Sequence, residues 1–237
     1  MENQVESEKN DKKREIVIPG EAIVKGLEYL PGDNTLRSGE AIIASRYGLA
    51  DISDRLVKVI PLAGVYMPRK GNIVIGKITD ITFNGWIIDI NAPYQAFLSA
   101  MDAGRYVNKN DLREYLDFGD IVIGEVFSVK HKSVDLTLRG NGLEKLEGGM
   151  IIKINSNKVP RIIGREGSMI NMIKKETGCD IIVGQNGLVW INGATVESEL
   201  FARDTIMFIV ERSFLDGLTD NVKEFLDKRN KNKGDKK

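Results

Sequence analysis

The chain has 237 residues, 34 basic and 34 acidic side chains and a formal charge of zero. A length of this order fits one large domain or two to three small ones, and 42% hydrophobic content is enough for real cores. Balanced charge argues against a strongly basic nucleic-acid binder, although it leaves room for local basic patches. No stretch of about 20 apolar residues is present to cross a membrane as a helix. The charged opening MENQVESEKNDKKRE has no apolar segment of the signal-peptide kind. A single cysteine, Cys179, excludes an internal disulfide framework, so a cytoplasmic protein is expected.

Catalytic signals are thin. The one histidine, His131, lies in SVKHKSVD, which reads as a surface hairpin turn. One His and one Cys cannot make a His/Cys zinc site, and no cofactor is implied. An intrinsic nuclease or nucleotidyltransferase would need converging acidic metal ligands. Asp80, Asp89 and Asp102 are the nearest candidates, and their spacing gives no reason to converge.

In chain order, residues 1–14 are polar, lack a period and are expected to be disordered. Residues 15–65 read as short strands broken at Pro19-Gly20, Pro31-Gly32 and Ser38-Gly39, which predicts a small all-β domain. Residues 66–147 form a second block. GNIVIGKITDIT and NGWIIDINA are predicted strands joined by a turn at Asn84-Gly85. Val134, Leu136 and Leu138 alternate with Asp135, Thr137 and Arg139, so one face of that strand is buried. Between these, MDAGRYVNKNDLREYLDFG predicts a short helix or an irregular loop. Five short strands of this kind predict a small closed barrel, because closure removes exposed edges.

Residues 148–215 change character. The order is strand, helix, helix, strand, strand, helix. SMINMIKKETG is an amphipathic helix that Gly167 or Ser168 can start and Gly178 can end. Two strands meet at Gln185-Asn186-Gly187. Thr195, with Ser198 and Glu199, starts the last long helix. Residues 216–237 form a helical extension and a basic tail, read as a solvated terminus.

The stretch RIIGREG joins the first two helices of this third block. A surface turn is one reading and a phosphate cradle another. Glycines at 164 and 167 remove side chains that would block a sugar-phosphate backbone, and the following helix offers unpaired N–H groups. Arg165 can contact phosphate through its planar fork, with Glu166 beside it. Arg161, Lys174 and Lys175 place further charge on the two helices. Ile162, Ile163 and Ile170, with Ile182 on the next strand, are expected to line an apolar groove for bases. The glycine pattern is not that of a dinucleotide fold, and no GK[ST] follows as in a P-loop.

VPRIIGREGSMINMIKKETGCDIIV carries the resemblance: residues 149 to about 212 resemble a type I KH domain, and residues 69–139 an S1 domain of the oligonucleotide-binding barrel kind. The whole succession resembles the archaeal form of the exosome's RNA-binding cap subunit. That resemblance implies a non-catalytic protein that captures single-stranded RNA and guides its 3′ end into a ring of RNase PH-like phosphorolytic subunits. It also implies that the N-terminal domain anchors to the ring, and that three cap chains, copies or relatives, sit together. A free-standing S1-KH protein of ribosome or transcript handling is the alternative. In the barrel the usual RNA-facing phenylalanines are matched by Asn84 and Ile87. Phe83 and Trp86 stand one position out of register and are read as packing or interface residues. Phe97, at the usual histidine position, can stack on a base, and Lys77, Arg105, Lys130 and Lys132 are expected to guide phosphates.

Overall fold

The structure is a computed structural model that describes residues 15–107, 112–131, 133–213 and 217–234. Residues 1–14 and Lys132 lie outside the described residues, so the expected disordered tail and one of the expected phosphate guides do too. The chain divides into two compact units, Met1–Gly64 and Val65–Lys237.

Among its described residues the first unit is built from strands: β1 (Ile16–Val17), β2 (Ala22–Lys25), β3 (Leu30–Pro31), β4 (Thr35–Ser38), β5 (Ala41–Ala44), β6 (Gly48–Ser53) and β7 (Leu56–Pro61). They form two sheets, β1-β6-β7-β3 and β2-β5-β4. Glycine and proline punctuation keeps every strand at six residues or fewer. The interior is correspondingly small: Val17, Ala44, Ala50 and Val59 cluster, and Ile42 and Val57 are fully enclosed. Ile16, Ile18, Leu27, Leu30, Leu36, Leu56 and Ile60 remain exposed.

The second unit opens with the expected closed five-stranded barrel. Its strands are β8 (Ile73–Thr82), β9 (Gly85–Asp89), β10 (Ala96–Ser99), β11 (Ile121–Lys130) and β12 (Ser133–Thr137), with α1 (Leu112–Tyr115) between β10 and β11. The order β12-β10-β9-β8-β11 returns on itself because β12 also pairs with β11. Alternate residues fill the barrel, among them Val74, Ile78, Trp86, Ile88, Leu98, Val122, Val134 and Leu136. β13 (Lys145–Leu146) adds to β11.

The KH portion comprises β14 (Met150–Lys153), α2 (Val159–Ile163), α3 (Ser168–Thr177), β15 (Asp180–Val183), β16 (Leu188–Asn192), α4 (Val196–Glu211) and α5 (Leu218–Gly234). The sheet order is β14-β16-β15, all antiparallel. The helices cover one face of the sheet through Ile162, Ile173, Phe201, Ile206 and Ile209. Thr195 caps α4 in a reciprocal capping box with Ser198, as its sequence predicts.

The other face of that sheet packs on the outside of the barrel. Trp190 clusters with Ile75, Ile123 and Leu146, with Ile182 and Leu188 against them. Polar groups close the seam. β9 pairs with β8 only from Lys77 onward, which leaves the backbone of Ile73 and Ile75 without a strand partner on that edge. The β15–β16 turn fills the gap. Gln185 N–H donates to Ile73 O (2.8 Å) and its side-chain oxygen accepts from Ile73 N–H (2.9 Å). Asn186 accepts from Ile75 N–H (3.3 Å) and donates to Ile75 O (2.7 Å) and Ile90 O (2.8 Å). Its side chain has no solvent exposure, and both of its amide hydrogens are used.

Candidate nucleic-acid interface

α2 begins with proline in its first turn and stops at Gly164, whose φ of 73° and ψ of 177° leave helical space. Gly164 N–H donates to Pro160 O (2.9 Å), closing the helix. Arg165, Glu166 and Gly167 make one tight turn in which Glu166 (φ 52°) and Gly167 (φ 78°) are left-handed, and α3 starts at once. No side chain caps α3; its first residue, Ser168, donates its N–H to Arg165 O within the turn.

The two glycines differ in what they permit. A Cβ on Gly164 would stand 2.7 Å from the Met169 Cβ and 2.8 Å from its nitrogen, so the close crossing of α2 and α3 itself demands glycine. A Cβ on Gly167 would find nothing nearer than the Asn171 amide at 3.5 Å. Packing therefore does not require glycine at 167; its left-handed φ of 78° favours it.

The flanking side chains divide similarly. Arg161, Arg165, Glu166 and Lys175 are exposed, and Ile163, Ile170 and Lys174 are half-buried. Between 161 and 176 the hairpin sets Arg161, Arg165, Lys174 and Lys175 against Glu166 and Glu176, a basic surface in a neutral chain. Two expected groove residues do not line it. Ile162 is fully buried in the KH core, because α2 turns it toward Ile173 and Phe201. Ile182 faces the barrel: strand alternation sends Ile181 to the helices and Ile182 to the seam with Trp190. Val183, half-buried on the helix side of the same strand, is the β15 residue that shares the cluster of Ile163 and Ile170. Its parity relative to Ile181 was the available signal.

The barrel does not gather its predicted cations into one patch. Lys77 sits opposite Ile121 at one end of β11, and Lys130 ends the strand nine residues later, roughly 30 Å away at strand rise. Arg105 lies elsewhere, its guanidinium 4.3 Å from the Tyr115 ring centroid. It borders a cleft of about 660 Å³ that Met101, Tyr106 and Arg139 also line. Phe97 is half-buried on the barrel exterior opposite Ile87. Trp86 packs as expected, fully enclosed with its indole N–H donating to Leu116 O (2.8 Å). Phe83 does not pack; it is 82% exposed on the hairpin loop.

The acidic candidates serve local structure. Asp80 accepts from Ile81 N–H, Asp89 from Asn91 N–H, and Asp102 pairs with Arg139 at 3.5 Å. His131 is exposed in a turn with φ 48°. Among the described residues no cluster of His, Cys, Asp or Glu could hold a metal, and no helix is long and apolar enough to cross a membrane.

Known proteins share this architecture. Residues 149–197 match the KH domain family. The exosome complex component Rrp4 of Thermococcus kodakarensis is 44% identical over 221 residues, which span 91% of this chain and 86% of that protein. Rrp4 of Methanothermus fervidus is 42% identical over 91% of this chain and 96% of its own length. A crystal structure assigned to an exosome complex RNA-binding protein superposes with a TM-score of 0.66 at 33% identity, covering 72% of this chain and 99% of that one. Identity at this level, sustained through the β unit, the barrel and the KH portion, establishes that the chain belongs to the Rrp4 family of exosome complex components.

Proposed function

We propose that this chain is a non-catalytic RNA-binding cap subunit of an exosome, working in the cytoplasm. It captures single-stranded RNA and directs the 3′ end into the pore of a phosphorolytic ring of RNase PH-like subunits. Residues 15–65 form the ring-docking domain, 66–147 the S1 domain and 148–215 the KH domain. Three cap chains, copies of this one or relatives of it, share the ring. The observation that carries this reading is the GREG hairpin: a side chain at Gly167 would meet nothing closer than 3.5 Å, Arg165 is exposed beside it, and Arg161 and Lys175 add exposed positive charge on the flanking helices. Membership of the Rrp4 family supports the assembly, and the exposed apolar residues of the first unit support a docking role for it.

Co-purification from cells followed by native mass measurement tests the proposal. A nine-subunit particle containing RNase PH-like chains is expected. A stable monomer that binds RNA without partners would instead favour a free-standing RNA-binding protein.

A further inference from the structure

β11 carries an irregularity that its barrel role does not require. Its register with β12 shifts between Val126 and Ser128, so Phe127 has no cross-strand partner. A bulge of this kind re-aims the side chain it contains. Phe127 stands 58% exposed on the outside of the barrel, and Val129 beyond it is 41% exposed.

Cations are built around this ring. The Lys70 ammonium lies 5.8 Å from the Phe127 ring centroid. Lys70 is brought there by a turn that is fixed from several sides. Asn72 N–H donates to Arg69 O (3.0 Å), and the Asn72 side-chain oxygen accepts from Arg69 N–H (3.2 Å) and from the Tyr66 hydroxyl (2.7 Å). The turn is then tied to the bulge itself: Gly71 N–H donates to Val126 O and Val126 N–H to Asn72 O, both at 2.8 Å. Lys130, exposed at the end of β11, follows Phe127 by three residues, about 10 Å along the strand. Neither Lys70 nor Lys130 forms an ion pair among the described residues.

A solvent-facing aromatic flanked by ammonium groups that form no ion pair among the described residues is the chemistry of sequence-tolerant single-strand binding. The ring face stacks a base and the cations take the adjoining phosphates. We infer that Phe127, with Lys70 and Lys130, is the base-stacking site for single-stranded RNA on the barrel, a role the sequence alone assigns to Phe97. The inference rests on the RNA-binding function proposed above. A protein partner is the less fitting occupant, because two unpaired ammonium groups beside the ring would have to be desolvated in a dry interface.

The test uses the full chain and an oligouridylate carrying 5-iodouridine. Photocrosslinking followed by peptide mapping should place a crosslink at Phe127. Phe127→Ala should weaken binding about tenfold, and Phe127→Trp should retain it. Replacing Lys70 and Lys130 together by Ala should flatten the salt dependence by about 0.7 in logarithmic slope for each lost phosphate contact. Circular dichroism of each variant checks that it is folded. Crosslinks confined to residues 161–175, with Phe127→Ala binding as wild type, would overturn this site and leave the RNA-binding function standing. Failure of the unmodified chain to bind or crosslink, alone and in the assembled particle, would overturn both. Loss of ring assembly in Phe127→Ala with RNA crosslinking unchanged would make the ring a protein contact and also overturn the inference.

Discussion

Gly164 and Gly167 carry the same residue type three positions apart, and they answer to different demands. Gly164→Ala puts a methyl group into the α2–α3 crossing at a φ of 73°. We expect a loss of about 2 kcal/mol or more, read as a lowered Tm. Gly167→Asp meets no such wall, and the left-handed backbone alone should cost about 1 kcal/mol. Its larger effect should fall on RNA affinity, through added bulk and a negative charge beside the incoming phosphate. Wild-type affinity in folded Gly167→Asp would reduce the loop to a turn. Arg165→Ala should weaken binding less, because one charge-assisted contact goes. Tyr66, which braces the Lys70 turn, is also informative. Burial pushes its hydroxyl up to about 12, above its ordinary value of 10.0. The folded state thus holds this proton after the unfolded chain has released it, so stability present below pH 10 declines between about pH 10 and 12. Tyr66→Phe should remove that part of the alkaline sensitivity in pH-dependent melting.

At the scale of elements, the sequence was most legible where local chemistry decides. The capping box of α4, the left-handed Gly178 that ends α3 and the alternation in β12 all follow from neighbours within four residues. It was least legible where a distant strand decides. Asn84-Gly85 reads as a hairpin turn, yet Thr82 pairs with Gly85, so the loop is Phe83-Asn84 and the glycine lies in β9. A side chain at Gly85 would collide with Leu98 O of β10, a requirement not visible locally. The same limit explains Ile182, since a one-residue parity and the barrel behind the sheet determine its face. It also bears on Lys77 and Lys130, expected to guide phosphates, which β11 holds at its two ends. Being so far apart, Lys77→Glu and Lys130→Glu should alter RNA affinity additively, within about 0.5 kcal/mol. A double-mutant cycle reads this directly, and strong coupling would contradict independent contacts at two separate places on the barrel.

At the scale of the whole second unit, the barrel and KH portion are welded by Asn186 and the apolar cluster around Trp190. Asn186→Ala leaves the Ile75 and Ile90 carbonyls and the Ile75 N–H without this partner in a closed seam. We expect a loss of several kcal/mol, at about 1–3 for each group left unsatisfied. Asn186→Asp retains the acceptor but loses both donors, and should be no better. A KH fragment cut free near residue 148 would bare Trp190, Ile182 and Leu188 to water, so RNA measurements belong on the full chain. The seam also makes the protein its own optical gauge. Trp86 lies sealed in the barrel, whereas Trp190 sits at the junction, 8% exposed, its indole N–H held by Gly148 O at 2.8 Å. Parting of the two portions would wet one indole and leave the other dry. A red shift in part of the emission, arriving before the barrel melts, would therefore time the undocking with no label attached, and Trp86→Phe would leave Trp190 to report it alone.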